Sequence, residues 1–104
     1  MVTYLFEEEE DIVSEVSERK GEAFTLDSAT VTITAYDNET NLNRKNVAAS
    51  VSGNEVWFHE TFSLANGYVE GGCYKATFSC HCTRGTSSYV VKAVVDFEVR
   101  ATND

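Results

Sequence analysis

Apolar and polar residues alternate with a period of two near the end of the chain. One set of alternate positions is apolar throughout, namely Tyr89, Val91, Ala93, Val95, Phe97 and Val99. The other set consists of Val90, Lys92, Val94, Asp96 and Glu98. Successive side chains of a strand point to opposite faces, so this pattern predicts a long strand with one face against a core.

A second strand precedes this one, and a hairpin is predicted between them. Alternate positions from Tyr74 to Cys82 are apolar, and the residues between them are polar. The connecting segment Thr83–Ser87 is short and polar and contains Gly85. Connections of this kind are typical of hairpins.

Three further strands are predicted upstream, at Thr30–Tyr36, Val47–Val51 and Glu55–Leu64. The last two are joined through the turn sequence Ser52–Gly53–Asn54. The third strand places four apolar residues on one face, which Glu60 interrupts; they are Val56, Phe58, Phe62 and Leu64. Trp57, His59 and Thr61 take the opposite face.

Two segments lack a clear strand pattern. Asp11–Glu18 fits both a helix and a strand, and the strand is favoured because two Ser and two Val lower the helix propensity. Asp37–Asn46 contains four Asn and almost nothing apolar except Leu42. This segment is predicted to be an exposed loop.

Six or seven short strands with frequent turns and no long helix are typical of a β-sandwich. The predicted fold is therefore all-β, an antiparallel two-sheet immunoglobulin-like β-sandwich of six to seven strands. The 104 residues suit one domain, which we assign to residues 11–100. Residues 1–10 are expected to form an acidic N-terminal leader, and residues 101–104 a C-terminal tail.

The chain has a formal net charge of −9, most of it near the N-terminus. Proteins bind nucleic acids and anionic membranes through Lys and Arg, so neither is expected as a partner. The N-terminus lacks the basic start and apolar middle of a signal peptide, and no apolar run is long enough to cross a bilayer. We therefore expect a cytoplasmic protein.

The three cysteines raise the question of a metal site. On a strand, Cys80 and Cys82 share a face and His81 points the opposite way, so the three cannot bind one tetrahedral ion. Zinc would need two further ligands, for which His59 is the only other obvious candidate. Buried, inert thiols are favoured, and no metal or cofactor is expected. A small zinc-dependent protein using Cys80 and Cys82 is the alternative.

No catalytic residues are predicted. His81 has thiols only at neighbouring strand positions that point away from it, so the nucleophile-and-base arrangement is missing. The carboxylates lie in the predicted leader or on predicted solvent faces, where nothing would raise their pKa for acid–base work. Phosphate-binding glycine patterns are also absent. The sequence therefore predicts a protein that is not an enzyme.

Three motifs resemble small immunoglobulin-like modules of bacteriophage and prophage structural proteins. The segment Gly21–Thr34 is similar to a "G-x-P-x-D-L-T-G-A-x-V-x-F" turn, with Ala23 and Ser28 where those modules have Pro and Gly. Gly72–Phe78 is similar to their "G-x-Y-x-x-x-F" strand. Phe97–Val99 matches the "F-x-V" ending of their last strand.

The resemblance implies a non-catalytic structural or assembly protein of a phage particle, in its head, neck, tail or baseplate. Such a protein would bind other virion proteins or copies of itself, as a homo-oligomer, and would become virion-associated. Trp57, Val90 and Val94 are the candidates for its protein-interaction surface, since exposed apolar side chains mark association sites. The alternative is a ligand- or carbohydrate-binding module, similar to an adhesin, that uses the Asp37–Asn46 loop.

Overall fold

A computed structural model describes residues 1–17, 23–36, 42 and 44–101. Within these ranges the chain forms seven strands and one 3₁₀ turn at Leu64–Asn66, without an α-helix. The strands are β1 (Val2–Leu5), β2 (Glu9–Glu15), β3 (Thr25–Ala35), β4 (Val47–Ser52), β5 (Glu55–Thr61), β6 (Cys73–Arg84) and β7 (Ser87–Arg100). The all-β prediction is confirmed. No described residues form a helix with the length and hydrophobicity needed to cross a membrane.

The seven strands form one mixed sheet in the order β1-β7-β6-β3-β4-β5-β2, nearly closed into a barrel. All neighbours are antiparallel except β1 and β7, which are parallel. Two separate sheets were predicted, but β4 joins the two groups of strands. Its first half pairs with β3 at Val47–Ala49, and its second half pairs with β5 at Ser50–Ser52.

The first ten residues, expected to form a leader, are part of the sheet. They contain β1 and the first two residues of β2. A turn at Glu7, which has a φ of 71°, reverses the chain between the two strands. Tyr4 points inward and stacks on Phe62, with ring centroids 4.6 Å apart. Of the predicted tail 101–104, only Ala101 lies among the described residues.

Five aromatic rings fill one end of the core: Tyr4, Phe62, Tyr68, Tyr74 and Phe97. Large aromatic side chains contribute much of the buried apolar area in a domain of this size. The Tyr74 hydroxyl accepts a hydrogen bond from the Val69 N–H at 2.8 Å. This bond ties the start of β6 to the segment that precedes it.

The strand predicted at Glu55–Leu64 ends earlier, at Thr61. The chain then enters the 3₁₀ turn, which Gly67 closes with a left-handed φ of 98°. Leu64, expected to face the core, is 70% exposed because it lies in this turn and no longer follows the strand alternation. The strand prediction for Asp11–Glu18 is confirmed as far as Glu15, the end of β2.

Most of the loop predicted at Asp37–Asn46 lies outside the described residues, which here include only 42 and 44–46. Leu42 and Arg44 are half-buried, so the expectation of an exposed loop does not hold for them. The Leu42 N–H donates to the Ile33 carbonyl, and the Ile33 N–H donates to the Arg44 carbonyl. Leu42 and Arg44 therefore pair with β3 next to the part of it that pairs with β4.

Candidate association surface

The outer face of β7 carries two of the three residues predicted for an interaction surface. Ala93, Phe97 and Val99 point into the core, so the alternate residues point outward. Val90 is 52% exposed and Val94 is 51% exposed. Lys92 lies between them and donates a hydrogen bond from Nζ to the Ser79 Oγ at 2.6 Å. We call these outward residues the outer row of β7: Ser88, Val90, Lys92, Val94 and Asp96.

The backbone groups of the outer row point away from β6. The Val99 N–H donates to the Gly72 carbonyl on the β6 side, and the Arg100 carbonyl accepts from the Phe6 N–H on the opposite side. Backbone direction alternates along a strand, so even-numbered residues of β7 point toward β1. β1 pairs only with Phe97–Arg100. No described strand pairs with β7 on this side between Ser87 and Asp96.

Trp57, the third predicted residue, lies on a different part of the surface. It is half-buried on the outer face of β5, directly opposite Val13 of β2. Val13 is itself exposed. In the strand order, β2 lies between β5 and the opening next to β7. The structure therefore brings Val90 and Val94 together and groups Trp57 with Val13.

A hollow of about 240 Å³ lies at the hairpin end of the outer row, lined by Asp27, His81, Cys82, Ser88, Tyr89 and Val90. Asp27 sits in a β-bulge of β3 and accepts a hydrogen bond from the Thr83 hydroxyl. Among the described residues, no hydrogen bond joins the His81 ring to Asp27 or Ser88. The hollow thus brings a carboxylate, an imidazole and a hydroxyl close together without the linked arrangement that nucleophilic catalysis needs.

The cysteines have the orientation that the strand alternation predicted. Cys80 and Cys82 are buried in the core, whereas His81 is exposed on the outer face of β6. Burial raises the pKa of the Cys80 thiol, and the neighbouring Cys82 adds to this effect. His59, the remaining ligand candidate, is on the outer face of β5. Within the described ranges no three His, Cys, Asp or Glu side chains are grouped to hold a metal ion.

His59 bridges two carboxylates of the edge strand β2. Its Nε2 lies 2.9 Å from the Glu9 Oε1, and its Nδ1 lies 2.8 Å from the Asp11 Oδ1. These hydrogen bonds, to Glu9 first and Asp11 second, raise the pKa of His59 above its usual 6.5. All three side chains are well exposed. The arrangement links β2 to β5 on the outside of the sheet.

Glu60 is the centre of a buried polar network that the sequence did not reveal. Its side chain is 2% exposed and forms a bidentate ion pair with Arg44, at 2.9 and 2.8 Å. The Tyr68 hydroxyl and the Thr61 N–H also donate to this carboxylate, at 2.8 and 3.1 Å. Burial and the negative charge of Glu60 raise the pKa of Tyr68. The only signal in the sequence is an acidic residue on the apolar face of a strand.

Comparison of the chain with protein-family models, with curated proteins and with solved structures gave no match.

Proposed function

We propose that the chain is a non-catalytic assembly module that acts through protein–protein contacts, as a structural component of a bacteriophage or prophage particle. The observation that carries this proposal is the outer row of β7. It combines two half-exposed valines with an unpaired strand edge. Exposed apolar residues and free strand edges are both features through which other chains associate.

We further infer an immunoglobulin-like arrangement of the strands. In that fold, strands A, B, E and D form one sheet and strands C, F and G the other. Here β2, β5 and the second half of β4 are neighbours in the order B-E-D, and β3, β6 and β7 are neighbours in the order C-F-G. β1 takes the place of strand A but pairs with β7.

Tyr74 supports the same inference. Immunoglobulin-like domains often have a tyrosine near the start of strand F whose hydroxyl bonds to the backbone a few residues upstream. Tyr74 is the second residue of β6, and its hydroxyl binds the backbone of Val69. Gly72, Tyr74 and Phe78 are the residues of the "G-x-Y-x-x-x-F" motif that resembles phage modules. Tyr74 and Phe78 both face the core.

The test is to quantify the chain in particles purified from a lysogen that encodes it, by mass spectrometry relative to the major capsid protein. We expect the wild-type chain at a constant ratio and a reduced ratio for the double variant V90T/V94T. V69T changes a valine of similar exposure that lies outside the strands and is the matched control, which should keep the wild-type ratio. A chain that is expressed and folded but absent from the particles would contradict the proposal.

A further inference from the structure

The free edge of β7 is suited to accept another strand. The N–H and C=O groups of Ser88, Val90, Lys92 and Val94 all point to the side that β1 leaves open. They form a continuous row of donors and acceptors over seven residues, Ser88 to Val94, which is the length of an ordinary added strand. An extended backbone is the structure that satisfies such a row, as in β-strand addition.

β7 has few of the features that normally protect an edge. Its pairing with β6 runs without a register shift from Cys73–Glu98 to Arg84–Ser87, so no bulge bends the strand. It contains neither Pro nor Gly. The edge strand β2 is different, because it carries Glu9, Glu10, Asp11 and Glu15. Natural edge strands use charges, bulges and proline against unwanted pairing, and of these β7 has only Lys92 and Asp96 on its free edge.

The charge next to this edge favours a basic partner. Residues 1–17 carry six acidic side chains and no Lys or Arg; the acids are Glu7, Glu8, Glu9, Glu10, Asp11 and Glu15. β2 approaches β7 without pairing to it, so a strand added to β7 would lie beside these carboxylates. Lys92 already bonds to Ser79, and the Asp96 carboxylate accepts a hydrogen bond from the Tyr36 hydroxyl. A second copy of this chain would bring its own acidic segment against the first.

We infer that β7 binds an extended segment of a partner protein by strand addition, and that this segment alternates apolar and basic residues. Its backbone pairs with the outer row, its apolar side chains pack on Val90 and Val94, and its basic side chains face the carboxylates of β2. The inference rests on the proposed function and names the kind of partner and the mode of binding.

The test uses an acetylated, amidated peptide of alternating lysine and valine, about seven residues long to match the edge. Amide hydrogen exchange of the full chain is followed by NMR with and without the peptide. At a peptide concentration of about ten times Kd, we expect about tenfold slower exchange at Val90, Lys92 and Val94. Val91 and Ala93 already donate to β6, so the peptide should not change their exchange.

Two controls separate strand addition from simple attraction to acidic side chains. The same peptide with N-methyl groups on alternate residues keeps its charge but cannot complete the ladder, so it should not slow exchange. A glutamate–valine peptide should bind at least about tenfold more weakly. Any of three results would overturn the inference. The peptide could change amide exchange only at Glu9, Asp11 and Glu15, or the N-methylated peptide could protect the outer row equally well. The third is protection of the outer row without any peptide.

A proline variant separates this inference from the proposed function. The N–H of Val94 points away from β6, so V94P removes a donor of the free edge and leaves the β6–β7 ladder intact. If V94P keeps its level in particles, strand addition fails as the binding mode while the assembly role stands. If the chain is absent from particles but the peptide protects the outer row, the particle assignment fails and strand addition stands.

Discussion

The hydroxyl of Tyr74 occupies the space in which any residue other than glycine at position 72 would place its Cβ. A Cβ at Gly72 would overlap the Tyr74 hydroxyl oxygen. The same oxygen accepts the hydrogen bond from the Val69 N–H, so it cannot move away without losing that bond. The "G-x-Y" spacing at the start of β6 therefore has a steric reason.

G72A is expected to destabilise the protein by about 1–3 kcal/mol, because the added methyl group overpacks a filled site. Y74F leaves the Val69 N–H without its partner and should cost about 1–3 kcal/mol as well. The double variant G72A/Y74F should lose less than the sum, since the closest clashing atom is gone, although the ring carbons Cζ and Cε2 would still lie 2.8 and 2.9 Å from the new Cβ. Urea unfolding of the four proteins gives this coupling energy. Strictly additive losses would show that removing the hydroxyl does not relieve the overlap with the Cβ at position 72.

R44M should destabilise the protein by about 3–5 kcal/mol, because it leaves the buried Glu60 carboxylate without its counter-charge. The matched control is R100M, which removes the same kind of side chain from an exposed ion pair with Glu98. Exposed pairs contribute little, so this variant should lose less than about 1 kcal/mol. Chemical denaturation at constant salt measures both values. Equal losses would mean that the Glu60 network contributes no more than a surface pair.

The strands β6 and β7 could be predicted because both are long and follow the period-two alternation throughout. The alternation also predicted that the side chains of Val90 and Val94 point outward. The turn at Gly53 was predicted from its local sequence. The exposure of the two valines could not be predicted, since it depends on which strands lie beside β7. The alternation also predicted that Trp57 points outward. That Trp57 lies on a different part of the surface from Val90 and Val94 follows only from the strand order.

The N-terminal strand and the Glu60 network escaped prediction for a different reason. β1 has four residues and pairs with the last four residues of β7, at the other end of the chain. A strand that short has too few positions to show a period. Arg44 and Glu60 are sixteen residues apart, and their pairing follows from the path of the segment after β3. Non-local contacts of both kinds leave no local pattern in the sequence.

His59 is expected to titrate with a pKa above 6.5, since Glu9 and Asp11 both stabilise its protonated ring. Because the pKa of His59 is higher in the folded than in the unfolded protein, protonated His59 stabilises the fold fully below pH 6.5. This stabilisation is lost as the pH rises through the pKa of the folded state. NMR titration of the ring protons measures the value, and the variant E9Q/D11N should lower it. Added salt should lower it too, because all three groups are exposed. An identical titration curve in E9Q/D11N would refute the bridging role.

Alkylation should distinguish the three thiols. The thiolate is the reactive form, so burial protects Cys80 and Cys82 both by excluding the reagent and, for Cys80, by raising the pKa. Brief treatment of the native protein with iodoacetamide should therefore modify Cys73 alone, and treatment in guanidinium chloride should modify all three. Mass spectrometry of the digested protein locates the labels, and C73S should remain unlabelled in the native state. If a chelator made Cys80 and Cys82 reactive in the folded protein, these thiols would be metal ligands and the zinc alternative would replace the view of them as inert core residues.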